Sequence, residues 1–350
     1  MMKRVASRIV SGQATKKNFS SAMMIHHQPQ QNCYSSSARN VKPTVTIFGG
    51  NGFVGQQILN RIASQCEKVI IACRGVSQFE HTARNFDNVS VVYSDVADKD
   101  TIDSAIYGSD VVINLVGLLY ESDNTFVEAH IDGANNISHS AHRLGVDQMI
   151  QFSFLNSELD SPSWWSDTRF RSEDIVYSNF PTATFVKPSI MFDKKENVFS
   201  GAYINRLRRT PLRFLPVIPV PLHDAKLQPV FVNDVIDAVE KVIFSKVEET
   251  KGKSLYLAGP EEMSLQQMMS KAFGRPAIPV WYPVFDFILG CTQMLPNPVV
   301  TRDQFLVLKQ HGGDLTLAST LERVVEPSAK KAIMTFEDLD IKPKSLTSQY

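Results

Sequence analysis

The stretch TVTIFGGNGFVGQQILNRIAS, Thr44 to Ser64, constrains this chain more than any other. A β-branched run, Thr44 to Phe48, is followed by four glycines within seven residues (Gly49, Gly50, Gly52, Gly55) and then by Ile58, Leu59 and Ile62 at helical spacing. A strand that enters a helix through a short glycine turn must return to its sheet by a crossover, and such crossovers build parallel sheets. Gly50, Gly52 and Gly55 also satisfy G-x-G-x-x-G. The first two let the backbone turn and approach an anion closely, and the third lets helix and strand pack tightly. Free N–H groups at Asn51, Gly52, Phe53 and Val54 would then face a pyrophosphate. The strand before and the helix after set this loop apart from an ordinary glycine turn, so Gly49–Gly55 is expected to cradle a dinucleotide.

The alternation continues. KVIIACR, VSVVYSDV, DVVINLVG, DQMIQFSFL and TATFVKPSIMF read as further strands, with helices around Thr101–Tyr107 and Phe126–Leu144 between them. Short apolar runs separated by helical periods predict an α/β fold with a doubly wound parallel sheet over residues 43–258. From Phe192 the texture changes. RTPLRFLPVIPVPLHDAKLQPVFVNDV is too rich in proline for a long helix or a central strand. It predicts irregular structure over 193–230, a short strand at Pro229–Val232 and Asp234 as a helix N-cap. Residues 259–350 form a small, mixed C-terminal lobe in this reading, and 350 residues suffice for a domain with such an appendage.

The end of the second strand sets the nucleotide preference. An NAD site places an acid there for the ribose 2′-OH, whereas this chain has Cys73 and Arg74. An arginine suits a 2′-phosphate, so NADP(H) is favoured over NAD, against a merely solvated arginine.

Together VTIFGGNGFVG, SDVAD, VVINLVG, FSFLNS, VKPSIMF and QPVFVNDVIDAV resemble, in order, the atypical or extended short-chain dehydrogenases/reductases, which have Rossmann-type folds. More narrowly, VVINLVG, VKPSIMF, QPVFVNDV, VTRDQF and EDLDIKP are similar to the 39-kDa accessory subunits of mitochondrial respiratory complex I, the NADH:ubiquinone oxidoreductase. The resemblance implies a tightly held NADPH (or NADP) contacting Gly49–Gly55, Arg74, Asp95, Val96, Leu115, Val116, Gly117, Ser153, Arg169, Lys187, Pro188 and Ile190. It also implies a matrix-side position at the junction with the membrane arm, among other complex I subunits. Ser153 stands where family enzymes orient a carbonyl, and Trp165 and Arg169 stand where they keep the Tyr and Lys of Y-x-x-x-K. A tyrosine there protonates the carbonyl oxygen, and the lysine lowers its pKa and holds the ribose. Tryptophan has no ionisable proton to give, while arginine keeps the positive charge. Pro181 follows Tyr177 at the lysine spacing, so Tyr177 offers no substitute. The expectation is a non-catalytic, NADPH-binding accessory subunit supporting assembly and stability. An active NADPH-dependent reductase of a quinone or carbonyl is the first alternative, and an NADP(H)-sensing or RNA-associated protein of the same fold the second.

Formal charge is zero, but it is unevenly spread. Residues 1–42 carry Lys3, Arg4, Arg8, Lys16, Lys17, Arg39 and Lys42, many serines and no acid, Glu67 being the first. This reads as a mitochondrial transit peptide, or else as a basic arm for nucleic acid or anionic lipid. Without it, 29 basic residues face 36 acidic ones, which disfavours nucleic acid as a partner. Cys33, Cys66, Cys73 and Cys291 lack metal or disulfide spacing, and His130, His139 and His142 read as helix positions rather than metal ligands, so no metal is expected. Two stretches stay open. Arg206–Arg213 could meet lipid headgroups or an acidic subunit, or be plain surface. Ile278–Val300, too short and proline-cut to span a membrane, is either a buried lobe helix or a docking surface for membrane or subunit, with Trp281 and Tyr282 at its boundary.

Overall fold

The computed structural model describes residues 42–121, 124–195, 198–200, 214–292, 301–324 and 332–346. Strands and helices alternate from Thr44: β1 (Thr44–Phe48), α1 (Phe53–Ile62), β2 (Lys68–Cys73), α2 (Val76–Ala83), β3 (Val89–Tyr93), α3 (Lys99–Ile106), β4 (Val111–Asn114), α4 (Gly133–Arg143), β5 (Gln148–Phe152), α5 (Trp164–Asn179) and β6 (Thr184–Pro188). A π-helical segment, Val127–Asp132, leads into α4. In the sheet the order is β3-β2-β1-β4-β5-β6, extended by Ser254–Leu257 and Ile333–Met334. Every neighbouring pair is parallel, with Val45 beside Val69 on one side and Val111 on the other. The strand order reverses between β1 and β4, and a ligand crevice opens at such a switch point, beyond the carboxyl ends of the strands. The doubly wound α/β expectation is met.

Strands buried on both faces need apolar residues throughout rather than in alternation. Both β4 and β5 are buried along their whole length, and their polar exceptions are hydrogen-bonded: Asn114 Nδ2 donates to Gln151 Oε1, and Gln148 Nε2 to the Val242 carbonyl, each at 2.9 Å. On one face α1 packs Ile58, Leu59 and Ile62 with Val235, Val239 and Val242 of the helix Val232–Phe244. On the other, Ile102, Ile106, Ile137, Ala141 and Val176 close the sandwich from α3, α4 and α5. A separate core joins Phe192, Ile218 and Leu227 to Met268, Met269 and Val307 of the later segments.

Several local expectations need correction. The strand near Pro229 is only Val230–Phe231, and the helix begins at Val232 with Phe231 as N-cap and no side-chain cap. Asp234 therefore lies inside the first turn, where its buried carboxylate accepts the Lys344 N–H at 2.6 Å. The apolar set Val232, Val235 and Val239 has to face the core, which starts the helix earlier than the capping pattern suggests. Residues 332–346 also return to the first body: Ile333–Met334 extends its sheet, and Phe336 and Leu339 enter its core. In the apolar stretch the helix is Tyr282–Thr292, with Ile278, Trp281, Val284 and Phe287 exposed. Residues 1–41, all of the basic patch 206–213, and 293–300 lie outside the described residues.

Candidate functional site

The glycine loop has the geometry its sequence promised. Gly49 takes φ +73°, the left-handed region that suits glycine, and an added Cβ would stand 3.2 Å from the Leu115 carbonyl carbon. A Cβ on Gly55 would come within 2.5 Å of Gly50 Cα, so α1 can approach the loop only without one. Gly52 is the N-cap of α1, and no acidic residue lies in the first turn. Asn51 and Gly52 are exposed, leaving the positive helix end accessible to an anion. These features fit a pyrophosphate.

Around this loop the ends of the other strands gather. Arg74 follows β2, is exposed, and donates to Asn124 Oδ1 at 2.6 Å. Asp95 follows β3, but its Oδ1 accepts the Ala97 N–H at 3.0 Å, and Val96 packs beside Gly133. After β4, the Leu115 N–H bonds the Phe48 carbonyl, and Asn114 Oδ1 holds the Val116 N–H at 3.0 Å. Gly117 has Arg169 directly above it: a Cβ there would lie 1.6 Å from Nη2. The structure thus sets Gly49 against Leu115 and Val116, and Gly117 against Arg169 of α5, while Arg74 and Asp95 make their hydrogen bonds to Asn124 and Ala97 instead.

Helix α5 carries Trp165 and Arg169. Trp165 Nε1 donates to the Leu118 carbonyl at 2.8 Å, and its ring meets Phe154 edge-on at 5.2 Å. The one N–H of the indole is therefore committed to backbone. One turn on, Arg169 lies with Cζ 5.7 Å from the Trp165 ring and makes long bonds of 3.4 and 3.3 Å to the Val116 and Phe152 carbonyls. Although the side chain keeps some surface, its Nε is enclosed and has no hydrogen-bond partner. Burial pulls the guanidinium down to about 10 despite the nearby Glu173 carboxylate. A buried, incompletely paired cation of this kind favours an anionic or polar ligand.

Sequence reasoning missed the role of two residues. Glu173, two turns beyond Trp165, accepts from Ser153 Oγ, from Ser157 Oγ at 2.6 Å and from Lys187 Nζ at 2.9 Å. Lys187 is consequently part of a buried ion pair rather than a free ligand; burial opposes its charge, but Glu173 and then Tyr256 raise its pKa overall. Pro188 and Ile190 lie just beyond it, the Pro188 carbonyl accepting from Leu155 and that of Ile190 from Val230. The i, i+4, i+8 spacing of Trp165, Arg169 and Glu173 was the available signal. The other residue is His130. Its Nε2 accepts the Leu118 N–H at 3.1 Å and its Nδ1 meets Thr168 Oγ1 at 2.9 Å. Burial first, and Arg169 second, hold this imidazole well below its ordinary pKa. Among the described residues no three His, Cys, Asp or Glu side chains group as metal ligands, and Cys66 and Cys73 are buried free thiols. A cleft of about 660 Å³ lined by Leu222, Trp281, Tyr282 and Lys309 lies in the later segments, away from this constellation.

A parallel sheet with a glycine-rich turn at its switch point defines a doubly wound, Rossmann-like architecture. The chain belongs to the NmrA-like family, which it matches over residues 41–339. Among curated proteins it is 27% identical to the mitochondrial NADH-ubiquinone oxidoreductase 40 kDa subunit of Neurospora crassa, covering 87% of this chain and 77% of that one. It is 29% identical to the mitochondrial NADH dehydrogenase [ubiquinone] 1 alpha subcomplex subunit 9 of Mus musculus, over 77% and 71% of the two chains. The subunit of that name from Arabidopsis thaliana is 25% identical over 86% and 74%. The expected likeness to complex I accessory subunits is thereby met. Solved structures share the fold: a nucleoside-diphosphate-sugar epimerase of Staphylococcus aureus (TM-score 0.63, 19% identity, 87% of this chain and 98% of that one). An NADPH-dependent quinone oxidoreductase of Escherichia coli complexed with NADPH is similar to the same degree (TM-score 0.63, 16% identity, 87% and 97%).

Proposed function

We propose that this chain is an accessory subunit of mitochondrial respiratory complex I that holds NADPH without turning it over, on the matrix side of the inner membrane. Names borne by relatives across fungi, animals and plants support the complex I role. The observation that carries the rest is the commitment of the Trp165 N–H to the Leu118 carbonyl, with Arg169 over Gly117. Bound NADPH would offer a hydride. Gly49–Gly55 would hold its pyrophosphate, Arg74 its 2′-phosphate and Arg169 its ribose, yet Trp165 presents no proton to a carbonyl. The nucleotide then serves stability, because a ligand that binds only the folded state shifts folding by mass action. Residues 1–42 act as the mitochondrial address. The exposed side chains of Trp281, Val284 and Phe287, with the basic stretch Arg206–Arg213, would meet neighbouring subunits or lipid headgroups. Among the described residues no helix is long and apolar enough to cross a membrane.

Native fractionation of detergent-solubilised mitochondria tests the proposal, with the nucleotide content of the isolated chain measured alongside. Co-migration with NADH dehydrogenase activity and recovery of NADPH are expected. Migration as a free monomer or dimer refutes the subunit role, and nucleotide-free protein refutes the cofactor role. One observation favours a second reading as an active reductase: the Tyr256 ring centroid lies 5.0 Å from Lys187 Nζ, and Glu173, the partner of Lys187, also binds Ser153. Steady NADPH oxidation with a carbonyl or quinone, abolished by Tyr256→Phe, would establish that reading instead.

A further inference from the structure

The first turn of α5 is capped by a residue far away in sequence. Asp303 Oδ2 accepts from Ser163 Oγ at 2.9 Å and from the Trp165 N–H at 3.0 Å, and Oδ1 from the Trp164 N–H at 2.7 Å. These are the N–H groups that a helix leaves without internal partners, and a carboxylate there also opposes the positive helix end. Asp303 stands in the helix Arg302–Lys309, opened by a capping box between Thr301 and Gln304. The Gln304 Oε1 that accepts the Thr301 N–H fixes the side chain, whose Nε2 then donates to the Leu119 carbonyl at 2.9 Å. Leu119 adjoins Leu118, the acceptor of the Trp165 indole. One helical turn thus bonds both the start of α5 and the loop after β4. Phe305, buried against Phe285, anchors that turn in the later segments.

We propose that Asp303 is a positioning residue for the nucleotide site, so that seating of the helix Arg302–Lys309 and retention of NADPH are one coupled equilibrium. The proposal rests on the nucleotide-binding reading above. Arg169 lies one turn from Trp165, so releasing Asp303 leaves Ser163, which accepts the Ser166 N–H at 3.2 Å, as the remaining cap and loosens the end of α5 that aims the guanidinium over Gly117. Coupling of this kind is reciprocal: nucleotide on Arg169 and the glycine loop favours the seated helix, and the seated helix slows nucleotide loss.

The test uses the full chain loaded with NADPH, its release followed by nucleotide fluorescence at a temperature well below melting. Asp303→Ala should release NADPH about tenfold faster, the equivalent of one lost helix cap. Asp303→Asn, which keeps a capping oxygen, should restore most of the retention, and Gln304→Ala, milder in folding terms, should give a smaller acceleration. Ser264→Ala removes a comparable cap from the helix Leu265–Phe273 without touching α5, and should release NADPH at the wild-type rate. Amide exchange at residues 164–168 should slow with NADPH in the wild type and respond less in Asp303→Ala. A wild-type release rate in Asp303→Ala, or equal acceleration by Ser264→Ala, overturns the coupling while leaving nucleotide binding intact. A wild-type chain that takes up no NADPH overturns the nucleotide reading, and the coupling falls with it.

Discussion

Replacing Glu173 by glutamine removes the negative charge from a pair that has little access to water. The Lys187 side chain is 5% exposed and that of Glu173 13%, with Nζ and Oε2 2.9 Å apart. Taking one member from a buried ion pair costs about 3–5 kcal/mol, because the other charge is left uncompensated. Against a total stability of about 5–15 kcal/mol this is a large loss. At roughly 2–3 °C per kcal/mol for a domain of this size, the melting temperature should fall by about 6–15 °C. Lys187→Met should also destabilise, since it leaves the carboxylate with only the Ser153 and Ser157 hydroxyls. The double variant should be far less impaired than the two single losses combined, because no unpaired charge remains. The pH dependence gives an independent sign. The raised Lys187 pKa means that the pair's contribution is present below the usual lysine pKa and is lost as pH rises through the folded value. In Glu173→Gln, burial is opposed only by Tyr256, so stability should instead increase as the solution becomes alkaline. Urea unfolding of the four proteins from pH 7 to 10, where the wild-type pair should hold steady while Glu173→Gln gains stability, measures both. Additive single losses, a loss under about 1 kcal/mol for Glu173→Gln, or parallel pH profiles would refute the reasoning.

Three further outcomes follow from the same site. Arg169→Met should leave the nucleotide-free chain at least as stable, since an enclosed Nε without a partner is removed, yet weaken NADPH binding; calorimetry and fluorescence titration separate the two effects. Gly55→Ala should cost about 1–3 kcal/mol by forcing α1 away from the Gly50 backbone, and should reduce nucleotide uptake, read by melting with and without NADPH. His130, whose pKa is held below the ordinary 6.5, contributes stability above that pH that declines on acidification, as the folded state resists the proton. Melting between pH 7 and 5 should therefore fall in the wild type and less steeply in His130→Asn.

The order of elements was legible from Thr44 to Pro188 because each step is local: β-branched runs make strands, glycines permit the turn at Gly49–Gly55, and helical spacing selects the face of α1 that is buried. The same locality exposed Trp165 and Arg169, which depend only on spacing within α5. What stayed hidden was every partnership made across the chain. Glu173 looked like an ordinary helix acid until folding set Lys187 of β6 beside it. Asp234 looked like a cap until the C-terminal segment offered the Lys344 N–H. Asp303 carried no local sign that it caps a helix 138 residues earlier. A sequence by itself determines which backbone conformations are cheap and which faces are apolar. Tertiary structure alone decided which buried charges and unpaired N–H groups meet, because the cost of leaving them apart is incurred only once water has been excluded.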